Sequence, residues 1–223
     1  MNEASTEVDA AVQGIAPESF ARRAADLVPG DRALYRSILE GFSTAIPPTT
    51  AGLARAGSAE PAVLASRMQR LQAADLIELD GDGELVLAYP FSARPTRNRV
   101  DSADGRQLWA CCAIDALGIP FMLGVAAKIY GREPDSEAEV EVSLGADGEA
   151  SWQPQRALVL VAWADQGSTA CSACPHINFF ASPARADHQL TANPELSGSK
   201  LEMGEAVTVG RQLFGRLLAD LSP

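Results

Sequence analysis

The stretch Leu76-Ile77-Glu78-Leu79-Asp80-Gly81-Asp82-Gly83-Glu84-Leu85-Val86-Leu87-Ala88-Tyr89 sets the architecture of the first third of the chain. Two runs of alternating apolar residues flank an Asp-Gly-Asp-Gly segment. Asp and Gly tolerate the positive φ of a tight hairpin turn, so the spacing predicts two short strands joined by a turn. Working back from it, Pro61 stands where a helix would start, and Val63, Leu64, Met68 and Leu71 form its apolar stripe. Thr49 or Thr50 is placed to cap a short helix carrying Leu53. Leu34, Tyr35, Ile38, Leu39 and Phe42 recur at helical spacing until Pro47 and Pro48 end the segment. A further short helix is predicted from Pro17 to Leu27, and residues 1–15, polar and aperiodic, are predicted to be a mobile tail.

Helices followed by a hairpin is the order of a winged helix, so residues 16–92 are expected to form a winged-helix-like N-terminal domain. The segment from Phe91 to Val100, interrupted by Pro95, is the expected crossing into a second domain over residues 93–223. There a helix is predicted near Gln107 to Leu117. A strand, Gly-containing turn and returning strand follow within residues 131–152, with Val140, Val142 and Leu144 alternating. The continuous apolar run Ala157–Trp163 reads as a buried strand, and residues 176–182 as another. Residues 204–221 read as a C-terminal amphipathic helix with Val209, Leu213, Leu217 and Leu221 on one stripe. The expected class is α+β: a winged-helix-like helical region packed on a mixed-sheet catalytic domain with helices.

Bulk properties narrow the function. With 47% hydrophobic and 21% charged residues, the 223-residue chain has the composition of a globular protein. A formal net charge of −11 works against nucleic-acid binding, which depends on neutralising phosphates. Only Arg67 and Arg70 decorate the helix that would read DNA in a winged helix. No apolar run approaches the roughly 20 residues that span a bilayer. The N-terminus lacks the basic and apolar regions of a secretory signal, so the expected location is cytoplasmic, with no membrane or nucleic-acid partner.

The four cysteines form two clusters about sixty residues apart, Cys111-Cys112 and Cys171-x-x-Cys174. Such clustering in a cytoplasmic protein points to thiol chemistry or metal binding rather than to a disulfide framework. On a helix, Cys112 and Asp115 share a face, and a carboxylate beside a thiol can take its proton and return it. Cys111 is read as a small core residue. The C-x-x-C pair alone supports half a zinc site, a redox dithiol or a soft-metal clamp. Thiolates favour soft metals, of which mercury is the extreme. Two thiolates on one mercury atom would weaken its bond to carbon, and a nearby acid could protonate the departing carbon, with no organic cofactor needed. His176 reads as a hydrogen-bonded strand residue and His188 as surface.

The segments Arg94-Pro95-Thr96, Gly105-Arg106-Gln107-Leu108, Cys112-Ala113-Ile114-Asp115, Pro120-Phe121 and Gly124, with Cys174, His176 and Phe179-Phe180-Ala181-Ser182, resemble the organomercurial (alkylmercury) lyase family over residues 30–220. The resemblance implies cleavage of a carbon–mercury bond to a hydrocarbon and mercuric ion, with Cys112, Asp115 and Cys174 catalytic and transiently holding the metal. It implies mercuric ion only as bound product, handed on to a mercuric reductase or a low-molecular-weight thiol. An apolar substrate pocket is expected to draw on Ile114, Phe121, Ile177 and Phe179. The sequence departs from the family pattern at Cys111, where Trp is frequent, at Pro175, where a further Cys is frequent, at Asn178 and in the additional Cys171. A divergent protein of the same fold that binds a soft metal or takes a non-mercurial substrate is the alternative, and a winged-helix metal-responsive regulator is the third reading.

Overall fold

The computed structural model describes residues 20–57, 60–136, 138–164 and 174–221, and among these four helices come first. They are α1 (Phe20–Ala25), α2 (Pro29–Ser43), α3 (Thr50–Ala56) and α4 (Pro61–Ala73). Residues 1–15 and Cys171 lie outside the described residues. The helix start signals act as written, although Val63, expected in the apolar stripe of α4, is exposed. Pro occupies the first turn of α2 and α4, and the Thr49 hydroxyl caps α3 by accepting from the Gly52 N–H at 3.1 Å. Tyr35, Ile38, Leu39 and Phe42 on α2, and Leu64, Met68 and Leu71 on α4, face inward. The hairpin follows as β1 (Ile77–Leu79) and β2 (Leu85–Ala88), turning on Gly83 at φ 80°.

The strands continue with β3 (Phe91–Ser92), β4 (Asn98–Ser102) and β5 (Gln107–Ala110), then helix α5 (Ala113–Leu123) and strands β6 (Ala127–Arg132), β7 (Glu139–Leu144) and β8 (Ala150–Gln153). They form one eight-stranded sheet, ordered β1-β2-β3-β5-β4-β6-β7-β8, so the hairpin of the N-terminal region is the edge of the same sheet. The remaining elements are β9 (Leu158–Ala164), a 3₁₀ turn (Cys174–His176), β10 (Ile177–Phe180), α6 (Pro183–Ala192), β11 (Leu196–Glu202), α7 (Met203–Phe214) and α8 (Leu217–Asp220). β9 is the centre of a three-stranded sheet between β10 and β11.

Three expectations are corrected. The sheet is not mixed: every described pairing is antiparallel. The β1–β2, β4–β5 and β7–β8 pairs join through short turns, the connection that an antiparallel pair allows and a parallel pair does not. Residues 107–110 are a strand and not the start of a helix. Leu108 and Ala110 point inward while Gln107 and Trp109 point outward, a period of two that four residues are too few to advertise. The C-terminal helix breaks at Gly215 into α7 and α8, yet Val209, Leu213, Leu217 and Leu221 remain buried across the break.

One core runs from the N-terminal helices through α5 and the sheet to α7. Phe20 of α1 lies with its ring centroid 5.1 Å from both Tyr89 and Phe214, and Phe42 of α2 stacks on Phe91 of β3 at 5.7 Å. Aromatic contacts of this size each add on the order of 1 kcal/mol beyond the area they bury. The helical region is thereby locked to the sheet beside the start of α5.

Candidate active site

Helix α5 is apolar on almost every face and is buried along its length. Its position is set by a close crossing with α7. A Cβ added at Gly118 would fall 2.4 Å from the Phe214 ring, and one at Gly210 would fall 2.9 Å from the Gly118 nitrogen. Glycines at both points let the helices approach nearer than any side chain allows.

A helix held in the core must satisfy its first N–H groups internally. Here a thiol does part of that work. Cys112 is the N-cap residue, extended at φ −142° and ψ −179°, and its sulfur accepts from the Asp115 N–H at 3.4 Å. In return the Asp115 carboxylate accepts from the Cys112 N–H at 3.1 Å. This reciprocal pair is a capping box with sulfur in the place of a hydroxyl. It explains why Cys112 and Asp115 face each other although Cys112 is not inside the helix as the sequence reading had it.

Cys174 arrives from the second sheet. β9 positions β10 through the pairing of Ile177 with Val161, and the Asn178 side-chain amide donates to the Pro175 carbonyl at 2.8 Å, closing the turn that opens with Cys174. The Cys174 sulfur then stands 3.7 Å from the Asp115 Oδ2. One ligand atom each from Cys112, Asp115 and Cys174 lies within 4.8 Å of the others, and this is the group able to hold a metal ion among the described residues. Two sulfurs roughly 4–5 Å apart suit a two-thiolate mercury complex, allowing for bonds slightly longer than those to zinc.

Burial governs the protons. Asp115, 2% exposed, is pushed up to about 7 by desolvation, against the opposing pull of contacts from Cys112, Cys174 and the Cys112 N–H. Burial also raises the Cys112 thiol well above its ordinary value, reinforced by the hydrogen bond with Cys174 and by the negative charges of Asp115 and Cys174. At neutral pH the Cys112 thiol therefore holds its proton, while Asp115, against both sulfurs, is poised to gain or lose one.

The remaining candidates are dispersed. Cys111 is half-buried and outside the cluster, its thiol donating to the Phe91 carbonyl at 3.2 Å. His176 is half-exposed in the turn, and His188 lies on α6. Ile114, Ile177 and Phe179 are fully buried in the main core, with the Phe179 ring filling the space over Gly131. Phe121 is not brought to the three: it lies six residues beyond Asp115, about 9 Å along the helix. There it sits under the Arg211 guanidinium at 5.4 Å and lines a separate cleft with Ala21, Gly124 and Arg216. Two supporting residues escaped the sequence reading of the chemistry. Asn178 closes the Cys174 turn, and the Thr96 hydroxyl donates to the Ala110 carbonyl at 2.7 Å, two residues before Cys112. Thr96 lies in a motif that carries the family resemblance, which was the available signal, whereas Asn178 is a departure from the family pattern.

Comparison with known proteins agrees with this arrangement. The family model "Alkylmercury lyase" (MerB) matches residues 91–215. The alkylmercury lyase of Staphylococcus epidermidis is 33% identical over 149 residues, 66% of this chain and 67% of that protein. That of Streptomyces lividans is 26% identical over 191 residues, 85% of this chain and 86% of that protein. Among solved structures, the crystal structure of the mercury-bound form of MerB2 superimposes with a TM-score of 0.72 at 22% identity, covering 96% of this chain and 99% of that one. At that identity the likeness establishes the fold.

Proposed function

The chain belongs to the alkylmercury lyase family, and from that premise we propose how its own residues split a carbon–mercury bond. The observation that carries the reading is the convergence of two thiols on one buried carboxyl. Asp115 as carboxylate takes the proton of one cysteine, and the thiolate formed bonds to the mercury of R–Hg–X, displacing X as its anion. The second cysteine engages the same mercury, and its proton is the one lost to solvent. Electron density from two sulfurs polarises the Hg–C bond towards carbon. Protonated Asp115 then delivers its proton to that carbon as the bond breaks. The products are R–H, mercuric ion bridging Cys112 and Cys174, and carboxylate Asp115. Burial serves the last step, because a carboxyl held near 7 gives up its proton more readily than a thiol held well above its usual range.

The rest of the reading follows the chemistry. The reaction draws on no organic cofactor. Mercuric ion on two thiolates leaves by exchange onto another thiol, from a small molecule or a mercuric reductase. Ile114 and Ile177, close in sequence to the site residues and fully buried in the core, are the residues proposed to face an apolar organic group. The division into a winged-helix-like region, 16–92, and a lyase domain, 93–223, is kept as a division of labour in which the first part braces and the second reacts. Arg70 supports a bracing role, since it is spent on Asp31 through bonds of 2.6 and 2.8 Å, with Arg67 3.9 Å from the same carboxylate. No described helix is long and apolar enough to cross a membrane, and a cytoplasmic enzyme is the reading that fits a thiol-dependent site.

Asp115→Asn tests the mechanism. Mercuric-ion binding and hydrocarbon release from methyl- or phenylmercury are measured separately. Binding is expected to persist while turnover falls by about 10²-fold or more, the scale of general acid–base catalysis. Full turnover in that variant would remove Asp115 from the chemistry. A wild-type protein that binds mercuric ion but releases no hydrocarbon would favour the metal-binding alternative.

A further inference from the structure

Three consecutive backbone carbonyls, those of Tyr89, Pro90 and Phe91, run past the residue that precedes Cys112, and each is taken by a specific donor. The buried Tyr35 hydroxyl of α2 donates to the Tyr89 carbonyl at 3.2 Å. The Cys111 N–H donates to the Pro90 carbonyl at 3.3 Å, and the Cys111 thiol donates to the Phe91 carbonyl at 3.2 Å. Phe91 is also the partner of Ala110 in the β3–β5 pairing. Cys111 is thus fastened twice to a segment that is itself fastened to the N-terminal helices. Immediately beyond it the chain must hold Cys112 extended so that its N–H reaches Asp115 and its sulfur receives the Asp115 N–H.

We propose that Cys111 is a positioning residue, and that this carbonyl ladder, braced by Tyr35, sets the N-cap geometry of Cys112. The proposal rests on the lyase reading above for its catalytic consequence, but its structural content stands apart from it. A thiol at position 111 has a defined task here: it is a small hydrogen-bond donor that fits against β3, and its sulfur is not one of the three atoms gathered for the metal. The ladder also gives the N-terminal region a part in the reaction, since Tyr35 lies more than fifty residues before any cysteine.

The test compares Cys111→Ala, which removes the donor, with Cys111→Ser, which keeps one, and adds Tyr35→Phe, which removes only the hydroxyl. Hydrogen exchange at the amides of residues 112–115 is measured on mercury-free protein, and kcat and KM on phenylmercury. For Cys111→Ala, loosening of the site is expected to lower kcat about tenfold, since small misplacements of reacting groups are costly. KM should stay within about twofold, the pattern of a loss felt in the transition state. Exchange at the Cys112 amide should be about fivefold faster through local opening. Cys111→Ser restores both readouts, and Tyr35→Phe shifts both in the direction of Cys111→Ala by a smaller factor. Unchanged exchange in Cys111→Ala overturns the proposal whatever the kinetics. A Cys111→Ser variant as impaired as Cys111→Ala overturns it as well, and would assign the sulfur itself a role as a further metal-binding thiol. Absence of turnover in wild type would sink the lyase reading instead, and the exchange data would still judge the brace.

Discussion

Asp115 and Glu133 are both almost completely buried carboxyls, at 2% and 1% exposure, and they behave in opposite ways. Glu133, just after β6, is surrounded by donors that favour its charge. The Ala181 N–H donates to it at 2.6 Å, and the Ser136 hydroxyl and the Arg185 guanidinium also bond to it. Burial alone would raise its pKa, but these bonds and the Arg185 charge outweigh burial and hold it below the usual carboxylate range. Among the described residues Asp115 has one backbone N–H and two thiols as partners and no cation, so burial wins and the carboxyl is lifted to about 7. Burial is therefore no mark of catalysis by itself. A buried carboxyl given a cation becomes a structural latch, here tying the end of β10 to α6, whereas one given only thiols stays poised to exchange a proton.

The most severe way to break this comparison is to remove the thiols. Cys112→Ser and Cys174→Ser should each lower hydrocarbon release by about 10³-fold or more, because groups acting as a unit fail together. A variant lacking either thiol that keeps full turnover would show that one sulfur suffices. Glu133→Gln sharpens the contrast from the other side. It should cost about 1–3 kcal/mol of stability in urea unfolding, the price of leaving buried donors poorly paired. Its turnover on folded protein should remain within a few-fold of wild type. Loss of turnover at undiminished stability would place Glu133 with the reacting groups and dissolve the distinction.

How much of this was legible in the sequence depended on whether the signal was local. The Thr49 cap, the Pro at the start of α4, the Asp80–Gly83 hairpin and the β7–β8 hairpin were read correctly because each is written within a few residues. The approach of Cys112 and Asp115 was legible from their spacing, although the reason is a capping box and not a shared helical face. The meeting of Cys174 with Asp115 was reached only through family resemblance, since nothing local brings residues 59 positions apart together. β3, β4, β6 and β11 were missed, as was helix α6. β11, Leu196–Glu202, is an edge strand with mostly exposed side chains, so hydrophobic alternation had little to act on. Phe121 was placed in the substrate pocket because its motif neighbours the site in sequence, but α5 carries it almost two turns away.

The finest test of the comparison is the pH dependence of stability, where the two carboxyls should pull with opposite sign. Asp115 is raised from an ordinary 3.8 to about 7 on folding. Its folded state favours the protonated form, so its contribution is fully present below the lower value and is lost as pH rises through about 7. Glu133 is lowered from an ordinary 4.5, so its contribution is present above that value and is lost as pH falls through the lower folded one. Asp115→Asn cannot ionise and escapes the first loss. Its melting temperature should exceed that of wild type by several degrees near pH 8, with the gap closing as pH falls towards about 4. Glu133→Gln should show the reverse, a deficit that is widest at neutral pH and narrows in acid. The two profiles measured by calorimetry on mercury-free protein would then diverge at neutral pH and converge in acid. An Asp115→Asn variant no more stable than wild type near pH 8 would mean that the Asp115 charge is compensated in the folded protein. In that case Asp115 would be a latch like Glu133, and the proton for the departing carbon would have to come from elsewhere.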